Sequence, residues 1–456
     1  GKLNKKAFYL LFALRAFFGF FINMFRTEVK HLFLFPQVEP QPLLNRKTLK
    51  MESGNPITDY FLEDFLKKKG CYVLEERFPV NEGSFTLNRE NIFGRYGSRS
   101  LFFEPYLAKA IITKSKSSEI KNLATQEKEL FECINMEASD GAVKILNQIQ
   151  YDLRSLRKLG VLRMMAAENL FRKRSIKTTG CIDEYSVKSR SILYPATNSG
   201  SKTYAIQHGS IHKNHMGYSY LLEDKAHCKY VDQLFVYGQD IKNLLEAQNN
   251  FAKETIVSGQ LRADIIPTLL EKHKSLKIDG LKDDRPIILY TSQPVFSVGG
   301  SEVRDAINRD FFALSKEFPE CQFLLKPHPR ETDWSYFEKI AQEVGATDYL
   351  ITQSDLYLLL SKCTMMLTHC SSVGAEAVNF DKPLVVQDYP DIDIMDYIKD
   401  GIGFKGSNKD ELRMVISGLL EGNLQPNEKA FEEYRNRFSG PIDGKVSSRI
   451  LKDALS

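Results

Sequence analysis

The chain has 456 residues, 43% hydrophobic and 26% charged, so it is too apolar for a disordered protein and long enough for two domains of roughly 150 to 250 residues each. Its 62 Lys and Arg face 58 Asp and Glu; a net charge of +4 excludes the broad basic excess of a nucleic-acid binder and makes any cationic site local. Seven cysteines, an odd number with no Cys-x-x-Cys pair, speak against a disulfide framework or a zinc ribbon and for a reducing compartment.

From Ala7 to Phe25 runs a 19-residue aromatic and aliphatic stretch, interrupted by Arg15 and Asn23. Coiled as a helix it sets Arg15, Gly19, Asn23 and Arg26 on one narrow polar stripe. With Lys2, Lys5 and Lys6 at its start, residues 1–28 are expected to form an amphipathic helix lying in a membrane interface, its cations toward anionic headgroups. The competing expectation is a helix packed on the body of the protein. No small-residue cleavage pattern follows to make it a signal peptide.

Residues 29–270 read as one α/β domain. His31 to Phe35 is a short buried strand, residues 36–56 read as a loop, 59–69 have helical spacing, Tyr72 to Leu74 look extended, and Glu119 to Leu159 make one or two long charged helices. The pattern sharpens at KTYAI (202–206) and QLFVY (233–237), followed by a helix over 240–249 and a strand over 255–257. Residues 272–284 read as a linker. Residues 285–430 read as a second domain with strands PIILY (286–290), QFLLK (322–326), 349–352, MMLT (365–368) and PLVVQ (383–387), separated by helices. Such alternation predicts parallel sheets with right-handed crossovers: two Rossmann-like halves facing a cleft, with residues 431–456 forming a terminal helix that returns to the first half.

Ligands in such sheets meet the carboxyl ends of strands, which directs attention to the residues just after each one. Lys326-Pro327-His328-Pro329 follows QFLLK; two prolines hold the imidazole's backbone. Ser292 and Gln293 follow PIILY. Ser371 and Ser372 follow MMLT and open a helix, a place where free amides favour phosphate, and Glu376 lies in its first turn, within reach of ribose hydroxyls or of those amides. For Ser371 and Ser372 the simpler alternative is helix capping alone. His208-Gly209 follows KTYAI, where an imidazole suits a general base; the alternative is a structural histidine. A metal reading of His208, His212 and His215 is poor, since spacings of four and three on a glycine-containing loop with no carboxylate are weak zinc geometry.

Taken together these residues resemble GT-B glycosyltransferases that use cytidine-nucleotide donors: the His-Pro and Ser-Ser motifs of bacterial sialyl- and polysialyltransferases as His328-Pro329 and Ser371-Ser372, and the His-Gly, Lys-x-His, paired-serine and Asp-Gly…Arg-Ile segments of CDP-glycerol glycerophosphotransferases as His208-Gly209, Lys326 with His328, Ser371-Ser372, and Asp443-Gly444 with Arg449-Ile450. The resemblance covers about 250 residues from Tyr194 onward. It implies a nucleotide site of Lys326, His328, Pro329, Ser371, Ser372, Ser292 and Gln293, ribose contact by Glu376, donor phosphate at Arg262, and His208 as base, with no metal and no separate cofactor. No Asp-Asp-Gly or Glu-Asp-Gly segment supplies the acidic base of the sialyltransferases, which shifts that role to His208. The expected activity is transfer of a sugar from a CMP-linked donor, with CDP or UDP as other carriers, to a cell-surface glycan or lipid-linked acceptor on the cytoplasmic face of a membrane. Glycerophosphotransfer, UDP-sugar 2-epimerisation and a non-catalytic binding role on the same fold remain open alternatives.

Overall fold

A computed structural model describes residues 5–35, 41–76, 94–113, 117–137, 140–209, 211, 213, 215–220, 222–223, 230–248, 250, 252–282, 284–294 and 299–456. The strands in chain order are β1 His31–Leu34, β2 Gln41–Leu44, β3 Met51–Gly54, β4 Cys71–Glu75, β5 Ser100–Phe102, β6 Thr178–Cys181, β7 Lys202–Ile206, β8 Gln233–Val236 and β9 Glu254–Val257 in the first half. The second half holds β10 Ile287–Thr291, β11 Gln322–Lys326, β12 Tyr349–Ile351, β13 Met365–Thr368, β14 Leu384–Gln387 and β15 Gly403–Gly406.

Both sheets are wholly parallel and share one plan. The first runs β5-β4-β1-β6-β7-β8-β9, the second β12-β11-β10-β13-β14-β15. In each, the chain starts in the middle, builds one flank, then returns to build the other, so the order reverses between β1 and β6 and between β10 and β13. Those reversals open a crevice at the carboxyl ends of the strands. The mainly apolar strands β10, β13 and β14 are buried along their length, as a parallel sheet covered on both faces requires.

Two expectations change. The stretch read as a loop over 36–56 contains the antiparallel hairpin β2–β3, pairing Gln41 with Gly54 and Leu44 with Met51; residues 36–40 lie outside the described set. The polar stripe of the amino-terminal helix, Lys5–Met24, meets the body of the protein, as the competing expectation had it, and does not turn its cations outward. Arg15 pairs with Glu104 at 2.7 Å, both buried, and Asn23 exchanges two hydrogen bonds with the Phe102 backbone, at 2.8 and 3.0 Å. The stripe meets protein because a partner carboxylate and an unpaired strand edge at β5 satisfy it there. No described helix is long and apolar enough to cross a membrane.

The chain crosses between the halves twice. Residues 258–286 lead across, and after the helix Glu428–Tyr434 the chain returns to the first half, where the terminal helix Val446–Ala454 packs Val446, Ile450 and Leu451 among Phe33, Phe61 and Phe65. Gly440 is needed at this return: its φ is +72°, and a Cβ there would sit 2.4 Å from the Tyr237 carbonyl oxygen.

Candidate functional site

The second sheet brings its motif residues to one edge. Thr291 pairs in register with Lys326 on one side and with Thr368 on the other, so the loops after β10, β11 and β13 leave the sheet side by side. Ser292 holds the Lys-Pro-His-Pro turn in place: its hydroxyl accepts from the His328 backbone N–H at 3.0 Å and donates to Glu331, which itself accepts from His328 N–H at 2.9 Å and from Arg304 at 2.8 Å. Gln293 contributes its backbone oxygen to Arg304. Ser292 and Gln293 therefore build the turn that presents His328, while Pro329 is exposed beyond it.

Lys326 donates to the Ser354 carbonyl at 2.9 Å and to Gln353 at 3.3 Å, and burial lowers its ammonium to about 8, against the pull of Asp355. His328 is likewise lowered by burial, with Glu331 opposing, so its ring favours the neutral form. A cation this lightly held gains most from an arriving phosphate.

After β13, Ser371 is buried and its Oγ accepts from Val373 N–H at 3.3 Å, while Ser372 is exposed. The Tyr397 hydroxyl donates to the Ser371 carbonyl at 2.8 Å and accepts from Ala375 N–H at 3.1 Å. The amides expected to wait for phosphate at the start of the Val373–Asn379 helix are thus partly used by Ser371 and Tyr397. Ser371 thus caps this helix, while the Ser372 hydroxyl makes no capping bond and faces out.

Arg262 stands where the first crossing meets the second sheet. It donates to Asp355 at 3.1 Å, lies 3.9 Å from Glu376 and stacks 4.2 Å over the Tyr357 ring. Asp355 also caps the Leu356–Lys362 helix through the Tyr357 and Leu358 amides. Burial raises the Glu376 carboxyl, opposed by Arg262, and its Oε2 is sealed from solvent with no hydrogen-bond partner. Thr291 Oγ1, Thr368 Oγ1 and both amide atoms of Gln387 are in the same condition at the same sheet edge. Five polar atoms near the carboxyl edge of one sheet thus hold hydrogen-bonding capacity that no described residue uses, and water or a polar guest can fill it.

Opposite lies the end of the first sheet. The chain from β6 continues into Asp183, Glu184 and Tyr185, beside His208 after the neighbouring β7. Tyr185 and His208 share a hydrogen bond of 3.2 Å to Nε2, and Nδ1 of His208 is buried and unpartnered. The Tyr185 ring packs against Tyr218 and His215, with Gly217 so close that a Cβ there would sit 2.7 Å from that ring. Burial pushes the Glu184 carboxyl up to about 7, and its Oε2 has no hydrogen-bond partner. The two crevices are joined by Tyr237: its N–H donates to Gln207 at 2.8 Å, next to His208, and burial together with the Glu376 carboxylate raises its phenol.

Asp183, Glu184 and Tyr185 were not singled out from sequence. The signal was an acidic pair two residues past a strand, hidden because TTGC does not read as one. Among the described residues no group of three or more His, Cys, Asp or Glu side chains is placed to hold a metal ion; His212 and Ser210 lie outside the described residues.

No protein-family model matches the chain, and no curated protein matches it significantly. Solved structures do match in fold. The UDP-GlcNAc 2-epimerase of Neisseria meningitidis, bound to UDP-GlcNAc, aligns with TM-score 0.55 at 14% identity over 93% of this chain and 99% of that one. The UDP-GlcNAc 2-epimerase of Methanocaldococcus jannaschii gives 0.53 at 14% over 93% and 99%, and S. aureus MnaA in a UDP co-structure gives 0.50 at 11% over 92% and 94%. At these identities the likeness is one of architecture. The chain has the two-domain, parallel-sheet α/β fold of GT-B type that these epimerases share.

Proposed function

We propose that the chain acts on a UDP-linked sugar, with the nucleotide on the edge formed by Lys326, His328, Ser372 and Glu376 and the sugar against His208, Tyr185 and Glu184, and that it inverts the sugar at C2. Glu184 carries this reading: a carboxyl held near pKa 7, next in the chain to Tyr185, whose hydroxyl bonds His208, puts a carboxyl and an imidazole at the end of the same sheet, one to take a proton and one to give one. Inversion at C2 needs both: as the proton leaves C2 its electron pair forms a C1–C2 double bond and UDP departs from C1, and UDP then adds back to C1 while a proton is delivered to the opposite face of C2. Alignment with UDP-GlcNAc 2-epimerases along nearly the whole of both chains, at TM-scores of 0.53 and 0.55, supports the choice of substrate.

A second reading, glycosyl or glycerophosphoryl transfer from a CMP-, CDP- or UDP-linked donor to a glycan or lipid-linked acceptor, is favoured by one observation. The Lys5–Met24 helix exposes a broad aromatic face, for which an enzyme of free UDP-sugars has no use. Here His208 would take the proton of the acceptor hydroxyl and Lys326 would steady the departing phosphate.

Incubation with UDP-GlcNAc in deuterium oxide separates the two. Epimerisation incorporates one deuterium at C2 without any acceptor; transfer leaves C2 protiated and releases UDP only when an acceptor is present. A thermal-shift series of CMP, CDP, UMP, UDP and GDP tests what both share. UDP should raise the melting temperature most under the first reading, and no rise with any of the five overturns the nucleotide site.

A further inference from the structure

The amino-terminal helix wears its polarity inward. Arg15 is 2% exposed and Asn23 5%, while Tyr9, Leu10, Phe17, Phe20, Met24 and, just past the helix, Phe25 are 53% to 80% exposed. The rings form a continuous layer, with Phe17 to Phe21 centroids 5.0 Å apart and Phe20 to Phe21 5.5 Å. Soluble monomers rarely expose so large an apolar patch without a use for it. Gly19 fixes the orientation: a Cβ there would come within 2.8 Å of the Phe102 side chain, so only this face of the helix can dock on β5.

Beside the aromatic layer runs a groove of about 780 Å³ with Arg26, Lys30, Lys109, Lys173 and Arg174 in its walls and Glu28 as its one carboxylate. Glu28 is engaged by Lys69 at 3.1 Å, and Arg174 is committed to the Asn23 carbonyl at 2.7 Å. Lys30, Lys109 and Lys173 are exposed.

We propose that this side of the molecule docks on an anionic phospholipid bilayer, the Phe and Tyr rings entering the headgroup boundary while Lys30, Lys109 and Lys173 take lipid phosphates in the groove. Charge complementarity selects the bilayer over a second copy of the chain, because a symmetric dimer through this face would bring two cationic grooves into one interface. The helix lies on the membrane and does not cross it. Its test reads vesicle binding alone and so does not depend on which reaction the cleft performs, although binding would add weight to transfer onto a lipid-linked acceptor.

The test is co-sedimentation of the full chain with vesicles of phosphatidylcholine mixed with phosphatidylglycerol, and with vesicles of phosphatidylcholine alone. Binding is expected to the mixed vesicles, weaker by about tenfold or more on the neutral ones. Phe17→Ser with Phe20→Ser should weaken both, and Lys109→Glu with Lys173→Glu should abolish the preference for the anionic lipid, each with an unchanged melting temperature. Absence of binding to mixed vesicles overturns the proposal, as does binding untouched by either pair. Self-association that the Phe pair disperses, without vesicle binding, would assign the face to a second copy instead.

Discussion

The Tyr185 hydroxyl lies 3.2 Å from His208 Nε2, tying the ends of two adjacent strands to one shared proton. If His208 acts on substrate, His208→Ala should lower kcat by about 10² to 10⁴ while leaving the nucleotide-induced thermal shift intact. Tyr185→Phe keeps the ring and removes only this partner, so its loss should be smaller and should come with a displaced pH–rate profile. Steady-state kinetics of both variants across pH decide it; full activity in His208→Ala removes the imidazole from the reaction.

The Glu184 carboxyl has an unambiguous pH signature. Its pKa rises from an ordinary 4.5 to about 7 on folding, so between those values the native state holds a proton that the unfolded chain has lost. Stability from this group is therefore complete below pH 4.5 and drains away as pH rises to about 7. Glu184→Gln, which cannot ionise, should lack this fall. Melting curves of the two proteins across that window should diverge and then run parallel at higher pH, and the same variant should lose the ionisation near neutrality from kcat/KM.

Lys326, lowered to about 8, makes nucleotide affinity pH-dependent in the opposite range. As pH climbs past 8 the free protein loses the cation before a phosphate arrives, so UDP affinity should weaken. Lys326→Met should bind UDP more weakly at neutral pH and show no such slope. Calorimetric titrations on either side of that pH provide the comparison.

Arg262 holds two carboxylates at once, and Asp355 beneath it is 2% exposed. Arg262→Ala leaves both without their cation and should cost about 3 to 5 kcal/mol. Arg262→Lys retains charge but gives up the planar stack 4.2 Å over Tyr357, a smaller loss of about 1 kcal/mol. Urea unfolding of the two variants separates the contributions of charge and plane.

What could be read before the fold was seen follows from how each strand is buried. PIILY, QFLLK, MMLT and PLVVQ each hold a run of apolar residues that the sheet buries, so the second sheet and the residues after its strands were legible as a unit. The first sheet hides its central strand: β6 is Thr-Thr-Gly-Cys, buried throughout, with Gly180 there because a Cβ would lie 2.2 Å from the Tyr204 ring. A strand made to accommodate a neighbour's ring carries no hydrophobic signal, and Glu184 vanished with it. The Lys5–Met24 helix and its polar stripe were legible, but not which of the two expected faces meets protein, because Glu104, 89 residues away, decides that.

The double passage between the halves has a mechanical consequence. A lone tether would let the two sheets tumble; a second connection, pinned where Gln260 N–H donates to the Ser439 carbonyl and Arg449 grips the Ser258 carbonyl, leaves chiefly a swing about the line joining the two passages. Arg262, on the first passage, reaches Asp355 and Glu376 of the second half, and Arg437, on the return, reaches Asp240 of the first. A tilt of one sheet against the other would strain these ion pairs together, so filling of the nucleotide crevice would be felt at both passages at once.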